Sequence, residues 1–148
     1  MRLDSVATPI QSIQLNVQTA NVANAGTDGD VYLGFCGREF HADTAANDFE
    51  RGSARQYVFG DGANVINAAT NDPREQQLFL ENVDTLPVYI RFQPKDAGDN
   101  WRLQRATVTV NGQLFPMWDT VPVVQDGIWL GARSGLYVHI PKHQDTIP

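Results

Sequence analysis

Apolar and polar residues alternate with a period of two along much of the chain. Ile13, Leu15 and Val17, for example, are separated by polar side chains. In an extended strand successive side chains point to opposite faces, so this pattern predicts strands with one buried and one solvated face. An amphipathic helix would place apolar residues at i, i+3, i+4 and i+7, and the chain has no convincing stretch of that kind. The pattern therefore predicts an all-β protein.

Nine short segments carry the strand pattern: 13–17, 31–35, 56–59, 77–80, 88–92, 106–110, 114–115, 128–130 and 136–140. Turn-forming residues separate them. The sharpest turn signal is Asn111-Gly112, since both residues tolerate the positive φ of a type I′ hairpin turn. The longest irregular connection runs from Gly60 to Asn82. Many short strands with frequent turns are typical of a sandwich or a barrel.

Length and composition indicate one globular domain over residues 1–148, because 148 residues with 42% hydrophobic content are enough to bury a core. One cysteine, Cys36, allows no disulfide within the chain. The net charge of −6 repels phosphate, which excludes nucleic acid as an expected partner. Neither a signal peptide nor a membrane span is visible, so we expect a cytoplasmic protein or one exported by a non-classical route.

Four sequence strings, taken in order, indicate a family. They are Gly26-Thr27-Asp28, then Asn47-Asp48-Phe49-Glu50-Arg51-Gly52, then Leu86-Pro87-Val88-Tyr89-Ile90-Arg91, and then Asp99-Asn100-Trp101-Arg102-Leu103. This order resembles the PLAT (LH2) domain, the β-sandwich found at one end of lipoxygenases and of pancreatic-type lipases. The similarity covers roughly residues 13–130, and the six-residue string 47–52 is its most specific part. Residues 60–82 depart from the family pattern as an insertion.

The resemblance implies an eight-stranded antiparallel sandwich of two four-stranded sheets. Beyond it we expect an extra C-terminal strand or tail, of which residues 141–148 are polar and frayed. The resemblance also implies a binding role toward a protein or a membrane, often with calcium. Lipoxygenase catalysis resides in a separate domain of that family, and nothing of that domain is present in this sequence.

The resemblance further implies a calcium site built from loops at one end of the sandwich. Its ligands would come from Gly26, Thr27, Asp28, Asn47, Asp48, Glu50, Asp99 and Asn100. Calcium prefers such hard oxygen donors. Asp30 and Asp43 lie nearby in sequence but match no position of the family pattern. The alternative is turn chemistry, since Gly, Asp and Asn also occur in loops that bind nothing. Arg51 can equally pair with a carboxylate and lock the loop, in which case Glu50 has a structural role and does not bind a metal.

The residues at the loop tips indicate which kind of partner to expect. Neither residues 21–25 nor residues 94–99 contain an aromatic side chain, and Val22 is the only sizeable apolar residue there. Membrane-binding tips usually carry aromatic rings. The sequence therefore favours a protein or carbohydrate-like partner, or self-association, over a membrane. Trp101 is predicted to be core, whereas Trp118 suits either the core or a partner surface.

Catalysis is not predicted. Ser53 and Cys36 lack the surroundings of a nucleophile, and the three histidines, His41, His139 and His143, form no motif. Cys36 suits a small core residue in a strand, and His139 is expected to point outward. Three functions stay open: a calcium-dependent protein-binding module, a calcium-dependent membrane-targeting module, and a metal-free structural subunit of a larger assembly. A small hydrolase is the remaining alternative.

Overall fold

The computed structural model describes residues 7–113 and 116–143, which form nine strands and two short 3-10 helices. The strands are β1 Ser12–Thr19, β2 Asp30–Phe35, β3 Arg38–His41, β4 Ala54–Gly60, β5 Tyr89–Gln93, β6 Asn100–Val110, β7 Trp118–Asp119, β8 Ile128–Gly131 and β9 Tyr137–His139. The 3-10 helices cover Ala68–Thr70 and Leu80–Thr85. No helix of the described ranges has the length and apolar character needed to cross a membrane.

The strands form two antiparallel sheets, which confirms the predicted sandwich. One sheet has the order β4-β1-β6-β7, with β8 also paired to β6, and the other has the order β3-β2-β5-β9. Instead of two four-stranded sheets plus one extra strand, the nine strands divide into five and four. The expected additional C-terminal strand is β9, which pairs with β5 at the edge of the four-stranded sheet.

Aromatic residues from both sheets fill the core. Phe35 meets Trp118 edge to face with ring centroids 5.0 Å apart, and the rings of Phe40 and Phe59 lie 5.3 Å apart. Phe35 and Phe40 belong to the four-stranded sheet, whereas Phe59 and Trp118 belong to the other. Aromatic pairs at such distances add to the stabilisation that burial alone gives. Trp118, only 2% exposed, is therefore a core residue.

Most predicted strands are confirmed, and the exceptions are local. Residues 77–80 make only isolated bridges and then enter a 3-10 helix, so that strand prediction was wrong. Strands β3 and β7 were not predicted. Cys36 is buried as expected, but it lies in the turn after β2 with φ 53° and not in a strand. The predicted strand at Leu114-Phe115 lies outside the described residues.

The Asn111-Gly112 turn is confirmed. Both residues have positive φ, at 56° and 67°, and the Gln113 amide donates to the Val110 carbonyl at 3.2 Å. Asn111 also reaches the N-terminal segment, because its Oδ1 accepts the amide of Gln11 at 2.7 Å. The turn thus fixes the start of β1 as well as the end of β6.

The connection between β4 and β5 covers two sheet edges with asparagine side chains. Asn64 Oδ1 accepts the Val58 amide at 2.8 Å, and Asn64 Nδ2 donates to the Gln56 carbonyl at 2.8 Å. On the other sheet, Asn71 Oδ1 accepts the His41 amide at 2.7 Å. Unpaired edge groups are templates for pairing with another chain. The insertion therefore shields edge strands β4 and β3.

We expect Asn64→Ala to lower the free energy of unfolding by about 1 kcal/mol, because two hydrogen bonds to an exposed strand edge are lost. It should also increase self-association, since β4 then presents free amides and carbonyls. Urea unfolding and light scattering after size exclusion measure the two effects. Asn67→Ala, an exposed neighbour whose side chain makes no such bonds, is the matched control. Equal behaviour of the two variants would contradict a role for Asn64 at this edge.

Candidate metal centre

Three loops meet at one end of the sandwich: residues 20–29 between β1 and β2, residues 42–53 between β3 and β4, and residues 94–99 between β5 and β6. Thr27 joins all three. Its amide donates to the Phe49 carbonyl at 3.0 Å, and its hydroxyl donates to Asp99 Oδ1 at 2.7 Å. The convergence that the resemblance implied is therefore present, and Thr27 is its centre.

Two glycines allow these loops to approach closely. A side chain at Gly26 would place a Cβ 2.8 Å from the Arg51 amide nitrogen. At Gly29 a Cβ would lie 2.7 Å from the Gln93 carbonyl oxygen and 2.8 Å from Asp99 Oδ2. Real Cβ atoms do not tolerate such distances to backbone atoms. The glycines flanking Thr27-Asp28 therefore permit the contacts that build the site.

One acidic cleft, which we call the Asp99 cleft, lies between the loops 20–29, 42–53 and 94–99. Its walls are formed by Gly26, Thr27, Asp28, Glu50, Arg51, Lys95, Asp96, Gly98 and Asp99. It holds four carboxylates and two cationic side chains. Asp99 is the carboxylate that hydrogen bonds hold most firmly: Oδ1 accepts the Thr27 hydroxyl, and Oδ2 accepts the Lys95 amide at 2.8 Å. Asp28, Glu50 and Asp96 are exposed to solvent.

A second cleft, which we call the Asp48 cleft, shares Thr27 and Asp28 with the first. It is lined by Thr27, Asp28, Gly29, Asp30, His41, Ala42, Asp43, Ala46, Asn47, Asp48 and Phe49. His41 Nε2 lies 3.0 Å from Asp30 Oδ1, and its ring stacks on Tyr32 with centroids 4.8 Å apart. This cleft therefore mixes carboxylates with an imidazole already paired to one of them.

The Asp48 carboxylate is occupied by protein groups. Its oxygens accept the Thr44 amide at 2.7 Å, the Thr44 hydroxyl at 2.8 Å and the Tyr57 hydroxyl at 3.1 Å. Arg55 Nε lies 3.5 Å away, and the Asp48 side chain is only 7% exposed. Such a carboxylate organises the loop from within. The structure thus gives Asp48 a structural role.

Burial and nearby carboxylates shift two pKa values around Asp48. Burial, followed by the negative charge of Asp48, raises the pKa of the Tyr57 hydroxyl far above its usual range, so Tyr57 remains a hydrogen-bond donor. Burial also raises the pKa of Asp43; His41 opposes this shift, while Asp48 and Asp30 add to it. Loss of a proton from either Tyr57 or Asp43 would add a negative charge near Asp48. Both groups therefore hold their protons more strongly than usual.

The eight residues predicted as ligands divide among three places. Gly26, Thr27, Asp28, Glu50 and Asp99 line the Asp99 cleft. Asn47 and Asp48 lie in the Asp48 cleft with Thr27 and Asp28. Asn100 lines neither and faces a third cavity beside Trp129. The structure thus brings five of the eight into one cleft.

Asp96 is the carboxylate of the Asp99 cleft that the sequence prediction did not include. It lies three positions before Asp99, and its Oδ1 accepts the Gly98 amide at 2.9 Å, which shapes the loop. The repeated acidic residues in the string 94–99 were the available signal. Within the described part of the chain Arg51 pairs with no carboxylate; its Nε donates to Asn21 Oδ1 at 3.1 Å and links two loops.

The Asp99 cleft suits a hard cation by its chemistry, since its acidic donors are all oxygen atoms. As the side chains stand, no group of three or more His, Cys, Asp or Glu residues among residues 7–113 and 116–143 is arranged to hold a metal ion. Binding would therefore require the exposed side chains of Asp28, Glu50 and Asp96 to turn inward. Change of rotamer in exposed side chains is fast and common.

No model of a known protein family matches the chain, and no curated protein matches it either. Solved structures with the same fold are found. The α-toxin of Clostridium perfringens is 22% identical, with a TM-score of 0.63 over 95% of this chain and 34% of that one. The α-toxin of Clostridium absonum is 20% identical, with a TM-score of 0.60 over 94% of this chain and 32% of that one.

A coral 8R-lipoxygenase, described with calcium activation via a C2-like domain, has the same fold in part of its length. It is 17% identical, with a TM-score of 0.56 over 90% of this chain and 17% of that one. The chain thus spans about a third of the toxins and a sixth of the lipoxygenase. These similarities confirm the PLAT/LH2-like sandwich at the level of the fold.

Proposed function

We propose that this chain is a non-catalytic calcium-binding module that docks on a protein partner or on copies of itself. The observation that carries the proposal is the Asp99 cleft, which is lined by four carboxylates from three loops, those of Asp28, Glu50, Asp96 and Asp99. Carboxylates that turned into this cleft together would repel one another. A bound calcium ion would supply the positive charge that removes this repulsion and would tie the three loops together.

The residues that would hold the ion are the carboxylates of Asp28, Glu50, Asp96 and Asp99. Arg51 and Lys95 line the same cleft and offset part of the negative charge before the ion binds. Asp99 is held in place by Thr27 and by the Lys95 amide, so one ligand is preorganised. The coral lipoxygenase, with its calcium activation via a C2-like domain, supports this proposal by analogy of fold.

The surroundings of the candidate nucleophile, Cys36, and of the candidate bases, His41 and His139, support a non-catalytic role. Burial raises the pKa of the Cys36 thiol to about 11, so it stays protonated near neutral pH. His41 is engaged with Asp30 and Tyr32, and His139 is exposed on β9 as expected. The parts of the similar solved structures that match this chain make up 16–34% of their length, which is consistent with one module of a larger protein.

A protein partner is favoured by the composition of the loop tips. Val22, 43% exposed, is the one large hydrophobic side chain that the loops 20–25 and 94–99 expose. One such group gives weak anchoring in a lipid interface. Membrane targeting is the second candidate function. The exposed Val22 side chain favours it, because an apolar group at a loop tip can insert into a lipid interface. Co-sedimentation with liposomes, in calcium and in EDTA, separates the two, because only membrane targeting predicts calcium-dependent pelleting.

Thermal unfolding in calcium, magnesium and EDTA tests the metal. A ligand present at about 100 times its Kd stabilises the native state by about 2.7 kcal/mol. For a chain of this size, that corresponds to a rise in Tm of about 5–10 °C. We expect this rise with calcium, a smaller one with magnesium, and none in EDTA. Asp28→Asn should remove most of the calcium response.

The control is Asp61→Asn, which alters the same chemistry at an exposed turn beside β4. It should leave the calcium-induced rise in Tm unchanged. If calcium does not raise the Tm of the wild-type protein at millimolar concentration, the proposed metal site is refuted. If Asp28→Asn and Asp61→Asn lose the response equally, the effect comes from net charge and not from the Asp99 cleft.

A further inference from the structure

A third cavity, of about 730 Å³, opens beside the Asp99 cleft and shares only Gly98 with it. Its walls come from the loops 20–29 and 94–99 and from the turn that follows β8. The lining residues are Ala23, Asn24, Ala97, Gly98, Asn100, Trp129, Arg133 and Ser134. A volume in this range is usual for sites that take small organic molecules. We refer to it as the Trp129 cavity.

The fold presents Trp129 and Asn100 on the same surface. In the pairing of β6 with β8, Arg102 lies opposite Trp129 and Asn100 lies opposite Gly131. Gly131 has no side chain, and a Cβ there would collide with the amide oxygen of Asn100. The missing side chain thus leaves space for Asn100 next to the indole.

The cavity differs in charge from the rest of the molecule. The chain carries a net charge of −6, yet no lining residue of the Trp129 cavity is acidic. Arg133 lies in its wall, and within residues 7–113 and 116–143 its guanidinium makes no hydrogen bond or ion pair. The Arg102 guanidinium lies 5.7 Å from the centre of the Trp129 ring. The cavity is therefore suited to an anionic ligand.

The lining combines four kinds of contact. Trp129 offers a partly exposed indole, Asn24 and Asn100 offer amide groups, and Ser134 offers a hydroxyl. Arg133 offers a planar fork of donors that matches a carboxylate. A sugar ring has one face of C–H groups and a rim of hydroxyls. A sugar acid adds a carboxylate, so each of its parts has a counterpart in this wall.

We propose that the Trp129 cavity binds an acidic sugar residue of a glycan. The ring lies on Trp129, the carboxylate pairs with Arg133, and the hydroxyls bond to Asn24, Asn100 and Ser134. None of these groups is among the carboxylates of the Asp99 cleft. The proposal therefore stands independently of calcium, and sugar binding should persist in EDTA.

Tryptophan fluorescence gives a direct readout, because Trp101 and Trp118 are 0% and 2% exposed and Trp129 is the remaining indole. The probes are glucuronate and, as the neutral comparison, glucose, each titrated in EDTA and again in calcium. We expect saturable quenching by glucuronate in both conditions and much weaker quenching by glucose. Arg133→Ala should weaken glucuronate binding about tenfold or more, which is the usual value of a charge-assisted hydrogen bond.

Arg74→Ala, at an exposed position of the connection between β4 and β5, removes the same charge away from both clefts; it is the matched control and should leave glucuronate binding unchanged. Trp129→Phe, followed by calorimetry, checks the stacking contact without removing the ring. Three results would overturn the proposal: no saturable binding of glucuronate, equal binding by wild type and Arg133→Ala, or binding seen only in calcium. Binding of vesicles containing phosphatidylserine that Arg133→Ala abolishes, with no saturable binding of glucuronate, would assign the cavity to a lipid surface instead.

Discussion

Replacing Trp101 with alanine is expected to lower the free energy of unfolding by about 3–5 kcal/mol, as for other large buried aromatic residues. Trp101 is completely buried, and its ring lies 5.4 Å from Phe49 and 5.6 Å from Phe92. Its indole N–H donates to the Thr19 hydroxyl at 2.9 Å. Alanine therefore leaves a large cavity and a buried hydroxyl without its donor. Urea unfolding followed by circular dichroism measures the loss.

Trp101→Phe separates the two contributions. It keeps an aromatic ring against Phe49 and loses the hydrogen bond to Thr19, so we expect a smaller loss, of about 1–3 kcal/mol. Because Phe49 belongs to the loop 42–53 and its carbonyl accepts the Thr27 amide, Trp101→Ala should also loosen the acidic clefts. A cost below about 1 kcal/mol for Trp101→Ala would show that Trp101 does not hold the two sheets together.

Replacing Asp99 with asparagine is expected to lower the free energy of unfolding by about 1–3 kcal/mol and to abolish the stabilisation by calcium. The carboxylate accepts both the Thr27 hydroxyl and the Lys95 amide. An asparagine side chain can accept from only one of these donors, because its NH₂ would face the other. Thermal unfolding in EDTA gives the structural loss, and the difference on adding calcium gives the loss of the metal site.

A double-mutant cycle with Thr27→Val shows whether the two residues act together. If Thr27 and Asp99 hold each other, the losses in the double variant should be less than the sum of the single losses. The Thr27 hydroxyl also accepts the Gly29 amide at 2.8 Å, so Thr27→Val carries a loss of its own. Strict additivity would indicate that the link between the loops 20–29 and 94–99 contributes nothing to stability.

The sandwich was predictable because its long strands alternate cleanly. In β1, Ile13, Leu15 and Val17 are buried, as the two-residue period requires. Strand β3, Arg38–His41, was missed because only Phe40 within it is buried. Strand β7 is two residues long and cannot show a period at all. Residues 77–80 have strand-like composition but find only isolated bridges, so the tertiary environment overrides their propensity.

The site was predictable in its location and less so in its detail. The family resemblance placed Thr27, Asp28 and Glu50 near Asp99, and the structure does bring them to one cleft. It could not show the different surroundings of Asp99 and Asn100. Successive residues at a strand start face opposite sides, so Asp99 meets Thr27 while Asn100 lines the Trp129 cavity.

Asp48 illustrates a second limit of sequence reasoning. Its position in the string 47–52 suggested a metal ligand, yet its oxygens accept hydrogen bonds from Thr44 and Tyr57. Whether a loop carboxylate bonds its own backbone or faces solvent depends on the path of the chain around it. Tyr57 lies on β4, nine residues beyond Asp48, and no sequence spacing indicated that its hydroxyl would reach the loop.

The most direct measurement is a crystal structure of the protein grown in calcium, with anomalous differences collected to identify the ion. Our account predicts a peak bounded by Asp28, Glu50, Asp96 and Asp99, with calcium–oxygen distances of about 2.3–2.6 Å. A map in which these four carboxylates carry only water, at a calcium concentration in the millimolar range, would contradict it.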